Sequence, residues 1–331
     1  MELKDKIKKF CYSLGLENIG FISCEKFYDL EDFFLYKKDK NLVNEFEESD
    51  IELRVNPNKI ISEGKTIISI AFPYVYENTH KDSIYFSKYT LGKDYHLILK
   101  KYLNTIGEFI KELGGEYQCF VDNNPLPERY IAMESGIGFI GKNNCLITED
   151  YGSYVFLGEI ITDLFITPDE PMESRCGECN LCTKACPTKA ILDQEKIENK
   201  YGLNNNPNIC LSYITQKKNL EDFWMDKIGG RIWGCDTCQD VCPFNKKAKN
   251  SKLEEFKPME YVKKPNLEEL IKIDKKTFKE KYKDLACSWR GKNLLTRNTL
   301  IAMKNIKKEI PKIHEFKSPY IEEYYHRIKK L

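Results

Sequence analysis

The sequence predicts an α+β fold in three domains, and three observations support this fold class. Helix and strand patterns alternate through residues 1–168, which we interpret as an α/β domain. Eight cysteines lie between Cys176 and Cys242, within a second domain of residues 169–246. Residues 247–331 are rich in charge and mostly helical in pattern, and form the third. The 331 residues are enough for more than one buried core.

Hydrophobic periodicity predicts the individual elements. Helices are predicted where apolar residues recur every three or four positions, at Leu3–Leu14, Tyr95–Leu113, Tyr130–Glu134 and Arg297–Ile310. Strands are predicted where β-branched and aromatic residues concentrate, at Asn18–Ser23, Thr66–Phe72, Glu116–Asp122 and Tyr154–Ile160. The prolines of Thr167–Pro171 mark a linker before the cysteine-rich segment.

Composition narrows the class of protein. Hydrophobic residues make up 41% and charged residues 31%, which are ordinary values for a globular chain. No apolar run approaches the ~20 residues that a membrane-spanning helix needs. The first residues alternate in charge and lack the apolar core of a signal peptide. We therefore expect a cytoplasmic protein without a membrane partner, and we predict a monomer.

Charge is distributed unevenly along the chain. The formal net charge is +1, but residues 246–331 hold 24 Lys and Arg against 12 Asp and Glu, a net charge of +12. The preceding residues therefore carry a net charge of −11. A basic segment of this kind suggests a polyanionic partner such as a nucleic acid. The alternative is a lysine-rich, solvated surface, because lysine is abundant throughout the chain.

Two cysteine motifs carry the most specific chemical signal. The first has the spacing C-x2-C-x2-C-x3-C-P and comprises Cys176, Cys179, Cys182 and Cys186. This is the spacing of bacterial ferredoxins that bind [4Fe–4S] clusters. The second motif ends in the same way but has a longer first gap, and comprises Cys210, Cys235, Cys238 and Cys242. The other five cysteines are scattered, and we interpret them as packing residues.

Ferredoxin motifs exchange their fourth cysteine between two clusters. We therefore assign Cys176, Cys179, Cys182 and Cys242 to one cluster, called cluster A below. Cys186, Cys210, Cys235 and Cys238 are assigned to the other, cluster B. The alternative is a zinc site built from two C-x2-C units, which two complete runs that end in proline make a poorer fit. Two adjacent clusters imply that electrons pass from an external donor to an acceptor held by the first domain.

A glycine-rich block in the first domain is the candidate acceptor site. It runs through Val121–Arg129, Glu134–Cys145 and Tyr151–Glu159, where glycines alternate with polar side chains. Asp122 falls at the end of a predicted strand, where catalytic groups often lie. The alternative is that the glycines are helix ends and turns and that Asp122 caps a helix. No G-x-G-x-x-G sequence follows a strand, so a dinucleotide fold is unsupported.

Together with this block, three shorter segments resemble one known family. They are Gly92–His96, Gly234–Pro243 and Ser288–Lys292. Over about residues 1–305 the chain resembles epoxyqueuosine reductases. The resemblance implies a cobalamin-dependent enzyme that reduces the epoxide of epoxyqueuosine at the wobble position of tRNA with a GUN anticodon. It also implies a reducing electron donor of the flavodoxin or ferredoxin type.

The resemblance also implies roles for individual residues. Asp122 matches the proposed acid, and Tyr95 and His96 are candidates for proton delivery or substrate positioning. The implied cobalamin contacts are Arg54, Ser87, Asp122, Arg129, Lys142, Asn143, Gly152, Ser153 and Ser212. No D-x-H-x-x-G sequence is present, so we expect cobalt without an axial ligand from the protein. The implied tRNA contacts are Trp289, Arg290, Lys292 and Arg297, for which a plain helix boundary is the alternative.

Two other functions remain open from the sequence. A reductive dehalogenase would pair the same two cofactors, but it would carry a twin-arginine export signal, which the sequence lacks. A two-cluster electron-transfer adaptor would bind no corrinoid.

Family members continue into a helical repeat of the HEAT type, whereas residues 247–331 hold at most one degenerate helix pair. We interpret this pair as a shortened tRNA-contacting domain.

Overall fold

The computed structural model describes residues 2–76, 82–192, 205–316 and 318–331. The helices of these residues are α1 Leu3–Ser13, α2 Tyr28–Asp39, α3 Ile51–Val55, α4 Tyr95–Glu112, α5 Glu128–Glu134, α6 Leu181–Ala185, α7 Leu211–Ile214, α8 Asp222–Ile228, α9 Thr237–Asp240, α10 Pro243–Lys246, α11 Glu260–Lys263, α12 Leu267–Lys272, α13 Lys275–Lys281, α14 Lys292–Lys307 and α15 Pro319–Lys330. The strands are β1 Asn18–Ser23, β2 Thr66–Pro73, β3 Tyr85–Phe86, β4 Tyr117–Phe120, β5 Phe139–Ile140, β6 Leu146–Ile147, β7 Val155–Thr162 and β8 Arg231–Trp233. No described helix is long and apolar enough to cross a membrane.

An antiparallel sheet of four strands, in the order β1-β2-β7-β4, organises the first part of the chain. Every residue of β2 is buried, because helices cover both faces of the sheet. Ile68 and Ile70 pack with α1 and α4, whereas Ile67 faces the cluster formed by α2 and α5. Successive side chains of a strand point to opposite faces, so a doubly covered strand is a continuous apolar run.

The predicted elements of this part of the chain are present, and their ends coincide with the prediction or differ from it by one or two residues. The helix predicted at Tyr95–Leu113 is α4, and the strand predicted at Glu116–Asp122 is the shorter β4. Helix α2 was not predicted. Its buried Phe33 and Phe34 are adjacent, and Lys37 is buried on the same helix, so the sequence shows only a weak amphipathic pattern.

A second core joins the cysteine-rich segment to the C-terminal helices. It contains Leu211, Trp233, Leu295 and Tyr324, together with Phe86 from β3. Strand β3 pairs in parallel with β8, so the first part of the chain contributes directly to this core. The second core contains residues from both sides of the predicted domain boundary at residue 246. The three-domain division stays a prediction.

Arg297 lies at the centre of this second core. Its side chain is fully buried, and its guanidinium donates to the carbonyls of Lys217 (2.6 Å), Lys218 (2.9 Å) and Thr215 (3.3 Å). It also donates to the Tyr320 hydroxyl at 2.8 Å. The prediction that Arg297 contacts tRNA is therefore wrong, because a phosphate has no access to this side chain. The helix predicted from Arg297 is α14, which begins five residues earlier, at Lys292.

Candidate active site and cluster-binding segment

Asp122 lies on a short loop between β4 and α5. Asp122 and Asn123 both have left-handed backbone conformations, with φ of 42° and 33°. Such conformations are unfavourable for residues other than glycine and persist where neighbouring contacts hold them. The Glu128 carboxylate provides such contacts, because it accepts the Asp122 N–H (2.9 Å) and the side-chain amide of Asn124 (3.0 Å). The loop therefore presents the Asp122 side chain in a defined position.

Helix α4 brings two further side chains to Asp122. Its first residue, Tyr95, donates its hydroxyl to Asp122 Oδ2. His96 Nε2 lies 3.2 Å from the same oxygen, and His96 Nδ1 lies 2.7 Å from Asp94 Oδ1. Tyr95 stacks on Phe156 of β7, with ring centroids 4.3 Å apart. The structure thus assembles the three residues that the resemblance had singled out, and we call Tyr95, His96 and Asp122 the proton cluster.

The proton cluster holds a proton on the imidazole and a negative charge on the carboxylate. Partial burial lowers the pKa of His96, but hydrogen bonds to Asp122 and Asp94 outweigh this effect and raise it to about 9. Partial burial raises the pKa of Asp122, but hydrogen bonds from His96, Tyr95 and the Asn123 N–H lower it to about 2. With both ring nitrogens facing carboxylates, His96 is an imidazolium that donates from each.

Two buried glutamates lie behind the loop. Burial and the nearby Asp122 charge raise the pKa of Glu128 to about 7. Burial, followed by the charge of Glu128, raises the pKa of Glu159 well above its ordinary value. Glu159 belongs to β7, is fully buried and receives a hydrogen bond from Ser69 at 3.3 Å. At neutral pH these two carboxyls therefore keep at least one proton between them.

Arg54 and Arg129, two of the predicted cofactor contacts, line the same cavity of about 130 Å³. Arg54 pairs with Glu47 at 3.2 Å, and Arg129 donates to the Asn144 carbonyl at 2.5 Å. Two lining residues of this cavity have a buried polar atom without a partner among the described residues, Arg54 Nε and Asn144 Oδ1, and the adjacent Asn143 has another at Nδ2. Such atoms are costly to bury alone. Amide side chains like those around a corrin ring would satisfy them.

The other predicted cofactor contacts lie elsewhere. Ser87 is fully buried and donates its hydroxyl to the Trp233 carbonyl at 2.9 Å, so its prediction as a cofactor contact is wrong. A Cβ atom on Gly152 would meet Asn245 Oδ1, and the Ser153 N–H donates to the same oxygen at 2.7 Å. These two residues join the glycine-rich block to the cysteine-rich segment, and their contact with a cofactor stays a prediction.

Lys142 and Ser212 lie beside the cysteines. The Lys142 N–H points to Cys176 Sγ at 3.5 Å, and its ammonium donates to the Gly177 carbonyl at 2.7 Å. Ser212 follows Cys210 by two residues at the start of α7, and its backbone N–H donates to the Cys210 thiolate and favours it. Both residues therefore belong to the surroundings of the clusters, and a direct cofactor contact by either stays a prediction.

Seven of the eight motif cysteines lie in two groups that agree with the assignment, which stays a prediction. Burial raises the pKa of Cys182, and the charges of Cys176 and Cys242 add to this effect, so these three thiols are neighbours. Burial raises the pKa of Cys210 to about 11, with further contributions from Cys235 and Cys186. Contact with Cys145, burial and the charges of Cys210 and Cys235 raise the pKa of Cys238. The thiols of cluster B thus converge around Cys210.

The predicted RNA segment forms an aromatic surface with the first part of the chain. Trp289 is 56% exposed and lies against Phe46, with ring centroids 5.5 Å apart. The Arg290 guanidinium stacks on Trp289 at 4.2 Å and pairs with Glu45 at 2.8 Å. Lys292 begins α14 and is half-buried. Exposed rings beside cations suit stacking on unpaired bases.

Sequence reasoning missed Phe46, Glu128 and the position of Cys145. Phe46 follows no helix or strand pattern, and its role appears only where Trp289 meets it in space. Glu128 had a signal, because a carboxylate at the first residue of a helix after an Asp-Asn-Asn run often closes the preceding turn. Cys145 was interpreted as a packing residue, but its thiol contacts Cys238, a predicted cluster ligand.

Comparison with known proteins agrees with this geometry. Residues 54–123 match the family described as "Epoxyqueuosine reductase QueG, DUF1730", and residues 175–245 match "4Fe-4S double cluster binding domain". The chain is 36% identical over 317 residues to an epoxyqueuosine reductase of Bacillus anthracis, covering 92% of this chain and 81% of the relative. It is 34% identical over 333 residues to that of Lactococcus garvieae, covering 97% and 93%.

Solved structures show the same relationship. A crystal structure of epoxyqueuosine reductase with an epoxyqueuosine-modified tRNA-Tyr stem loop aligns with a TM-score of 0.88 at 34% identity, covering 98% of this chain and 90% of that one. A Bacillus subtilis epoxyqueuosine reductase, described as having its catalytic aspartate loop swung out of the active site, aligns with a TM-score of 0.82 at 36% identity, covering 92% and 82%. This chain therefore belongs to the epoxyqueuosine reductase family, and its cysteine-rich segment is a double [4Fe–4S] domain.

Proposed function

We propose that this enzyme reduces epoxyqueuosine in tRNA to queuosine, with the proton cluster supplying the proton that the departing oxygen needs. The observation that carries the proposal is that Tyr95 and His96 both contact the same carboxylate oxygen of Asp122. Family membership supports it and disfavours both a dehalogenase and an electron-transfer adaptor, because relatives along most of the chain are epoxyqueuosine reductases. A direct test is the conversion of an epoxyqueuosine-containing stem loop by the reconstituted protein with cobalamin and a strong reductant.

The residues present fit a corrinoid cofactor. Arg54, Asn143 and Asn144 would hold its amide side chains, because each has a buried polar atom without another partner among the described residues, and Arg129 lines the same cavity as Arg54. A corrinoid, when bound, supplies a strongly nucleophilic reduced cobalt. Asp122 faces the substrate side in this proposal, and its carboxylate orients the proton donor.

The proton cluster supplies a proton to the oxygen that leaves the epoxide. Reduction of an epoxide to an alkene takes up two electrons and two protons and releases the oxygen as water. The His96–Asp122 pair holds one transferable proton, and Asp122 places it at the mouth of the site, where its side chain is 48% exposed. Tyr95 fixes the other side of Asp122 Oδ2. Its own pKa is raised by burial and by the Asp122 charge, so it orients the carboxylate rather than ionises.

The pH dependence of the chemical step should follow His96. Because the raised pKa of His96 is about 9, the proton is present at neutral pH and is lost as the pH rises through that value. Single-turnover rates are therefore expected to stay level through neutral pH and fall tenfold per unit well above about pH 9. Glu128 also titrates, with a pKa of about 7. In the Glu128→Gln variant, any change in rate near neutral pH that Glu128 causes should disappear, and the fall in rate at alkaline pH should remain.

The fall in rate at alkaline pH identifies the residue that donates the proton. In His96→Gln the fall near the pKa of His96 should disappear, and the rate should be low throughout. An unchanged alkaline limb in that variant would assign the proton to a different residue or to water.

We propose that tRNA binds across the aromatic surface formed by Trp289 and Phe46. Replacing Trp289 with Ala should weaken stem-loop binding by about 1–3 kcal/mol, the usual contribution of one stacked base. The salt dependence should not change, because stacking releases no counterions. The measurement is a fluorescence anisotropy titration at several salt concentrations.

The matched variant is the double change Arg290→Ala and Lys292→Ala. If both cations neutralise phosphates, the slope of log K against log salt should flatten by about one to two units. The Glu45 partner of Arg290 competes with phosphate, so the effect of Arg290 is the smaller of the two. Equal slopes in the parent and the double variant would show that these cations do not contact RNA. If Trp289→Ala binds the stem loop as tightly as the parent does, the Trp289 ring is not part of the interface.

We also propose a flavodoxin- or ferredoxin-type donor that docks at cluster A. The loop around Cys176–Cys182 lies at the surface, with Gly177, Glu178 and Leu181 exposed. A short path from this loop to the donor favours rapid electron transfer. The cytoplasmic location and the monomeric state stay predictions.

A further inference from the structure

Arg231 lies against one ligand of cluster B. It is the first residue of β8, which pairs with β3 and so fixes the direction of the side chain. Its Nε donates to Cys235 Sγ at 3.2 Å, and its two terminal nitrogens donate to Thr237 Oγ1 (2.6 Å) and the Ile228 carbonyl (3.0 Å). All three branches of the guanidinium are therefore engaged, and its position is determined by the fold.

Thr237 completes this arrangement. Its hydroxyl oxygen lies 3.4 Å from Cys235 Sγ and accepts a hydrogen bond from Arg231. Its own hydrogen is then free to point at the sulfur, which as a metal-bound thiolate is an acceptor. Cys235 thus faces one cationic and one neutral donor at the same time.

The two clusters differ in this respect. Backbone N–H groups contact sulfurs of both sets, for example Ala190 to Cys186 at 3.2 Å and Lys142 to Cys176 at 3.5 Å. Among the described residues, Arg231 is the cationic side chain that donates to a motif cysteine. Arg175, which precedes Cys176, is instead turned to solvent, with its side chain 52% exposed and 3.7 Å from Glu149.

Position in the fold makes this difference relevant to electron flow. Cluster A belongs to the exposed loop described above. In cluster B, Cys238 contacts Cys145, which follows Asn143 and Asn144 of the proposed corrinoid site. The Lys142 N–H, one residue before Asn143, points in turn to Cys176 of cluster A at 3.5 Å, so both clusters adjoin this site and their relative potentials decide which of them holds the electron.

We propose that Arg231 raises the reduction potential of cluster B above that of cluster A. Reduction adds one negative charge to a cluster, and a fixed cation at hydrogen-bond distance from its sulfur stabilises the reduced form. Arginine keeps its charge at any working pH. In the transfer step cluster A is oxidised and cluster B is reduced by one electron, and an external one-electron reductant restores cluster A. The inference rests on the proposed cluster assignment.

The test is a reductive titration of the reconstituted full chain with dithionite and redox mediators, followed by electron paramagnetic resonance. In the parent protein two signals should appear in sequence, and the first belongs to cluster B. In Arg231→Met this first signal should require a lower potential, with at least a tenfold change in its reduction equilibrium, which is about 59 mV for one electron. The signal of cluster A should move much less.

Three further variants make the result specific. Arg231→Lys keeps the charge, so its first signal should appear close to the potential of the parent protein. Thr237→Val removes the neutral donor and should give a smaller shift in the same direction. Arg175→Met removes a solvated charge beside cluster A and should leave both signals in place, because solvent screens it.

Iron content separates the outcomes. Eight irons per chain with an unmoved first signal in Arg231→Met would overturn the proposal, as would a shift confined to the later signal. If Arg231→Met binds fewer irons, an unshifted first signal in Thr237→Val would overturn it equally. Four irons in the parent would instead reject the assignment of two clusters.

Discussion

Replacement of Asp122 with Asn is expected to slow epoxide reduction by about 10²–10⁴-fold, the usual cost of losing a group that acts in proton transfer. The amide keeps the shape of the side chain but carries no charge. The pKa of His96, which its carboxylate partners raise to about 9, would then fall, and less imidazolium would be present at neutral pH. The measurement is single-turnover conversion of an epoxyqueuosine stem loop, with cluster absorbance and cobalamin binding recorded on the same sample.

Tyr95→Phe is the matched control for this prediction. It removes a hydrogen bond to the same carboxylate oxygen but leaves the charge and His96 in place. We expect a loss of less than about tenfold, consistent with one orienting hydrogen bond. Undiminished turnover in Asp122→Asn would show that the Asp122 carboxylate neither raises the pKa of the proton donor nor orients it. Loss of cluster absorbance would mean that the variant reports on folding and not on chemistry.

Replacement of Arg297 with Met is expected to destabilise the protein by about 3–5 kcal/mol. Methionine fills much of the same space but donates no hydrogen bonds. The Lys217 carbonyl would lose its donor inside the second core, whereas the carbonyls of Thr215 and Lys218 would keep the Asn298 amide and the Tyr320 hydroxyl. Buried carbonyls without partners are costly. The measurement is denaturant unfolding, or the thermal midpoint if unfolding is irreversible.

Arg327→Met provides the comparison. Arg327 also pairs with a carbonyl, that of Leu220, and with Asp222 at 2.7 Å, but its side chain is partly exposed. Water can replace the lost partners, so we expect a change below about 1 kcal/mol. Equal effects of the two substitutions would show that Arg297 is not the centre of the core.

Local patterns in the sequence predicted the parts of the molecule that depend on local spacing. The cysteine runs specify cluster ligands because a few residues fix where each thiolate lies. Strand β2 was predicted because both of its faces are covered, which leaves a continuous apolar run. Helix α2 was missed because Phe33, Phe34 and Lys37 are buried together, and only the neighbouring sheet explains that combination.

The candidate site depends on contacts that no local pattern contains. Asp122 and His96 belong to separate elements, and the resemblance to a family, not periodicity, brought them together. Their protonation states follow from hydrogen bonds that exist only in the folded chain. Arg297 was misplaced for the same reason, because α14 is packed against α12, α15 and β8, so that a polar stretch of its sequence lies inside the core.

The pairing of β3 with β8 has a consequence for how the chain folds during synthesis. The Ser87 hydroxyl and its acceptor on Trp233 are separated by 146 residues. A ribosome that adds ~5–20 residues per second needs roughly 7–30 s to make that stretch. During this interval Phe86, which ends in the second core, has no partner, and its apolar surface is open to non-native contacts. Slower translation before β8 would lengthen this exposure and would favour aggregation of the nascent chain over insertion of the clusters.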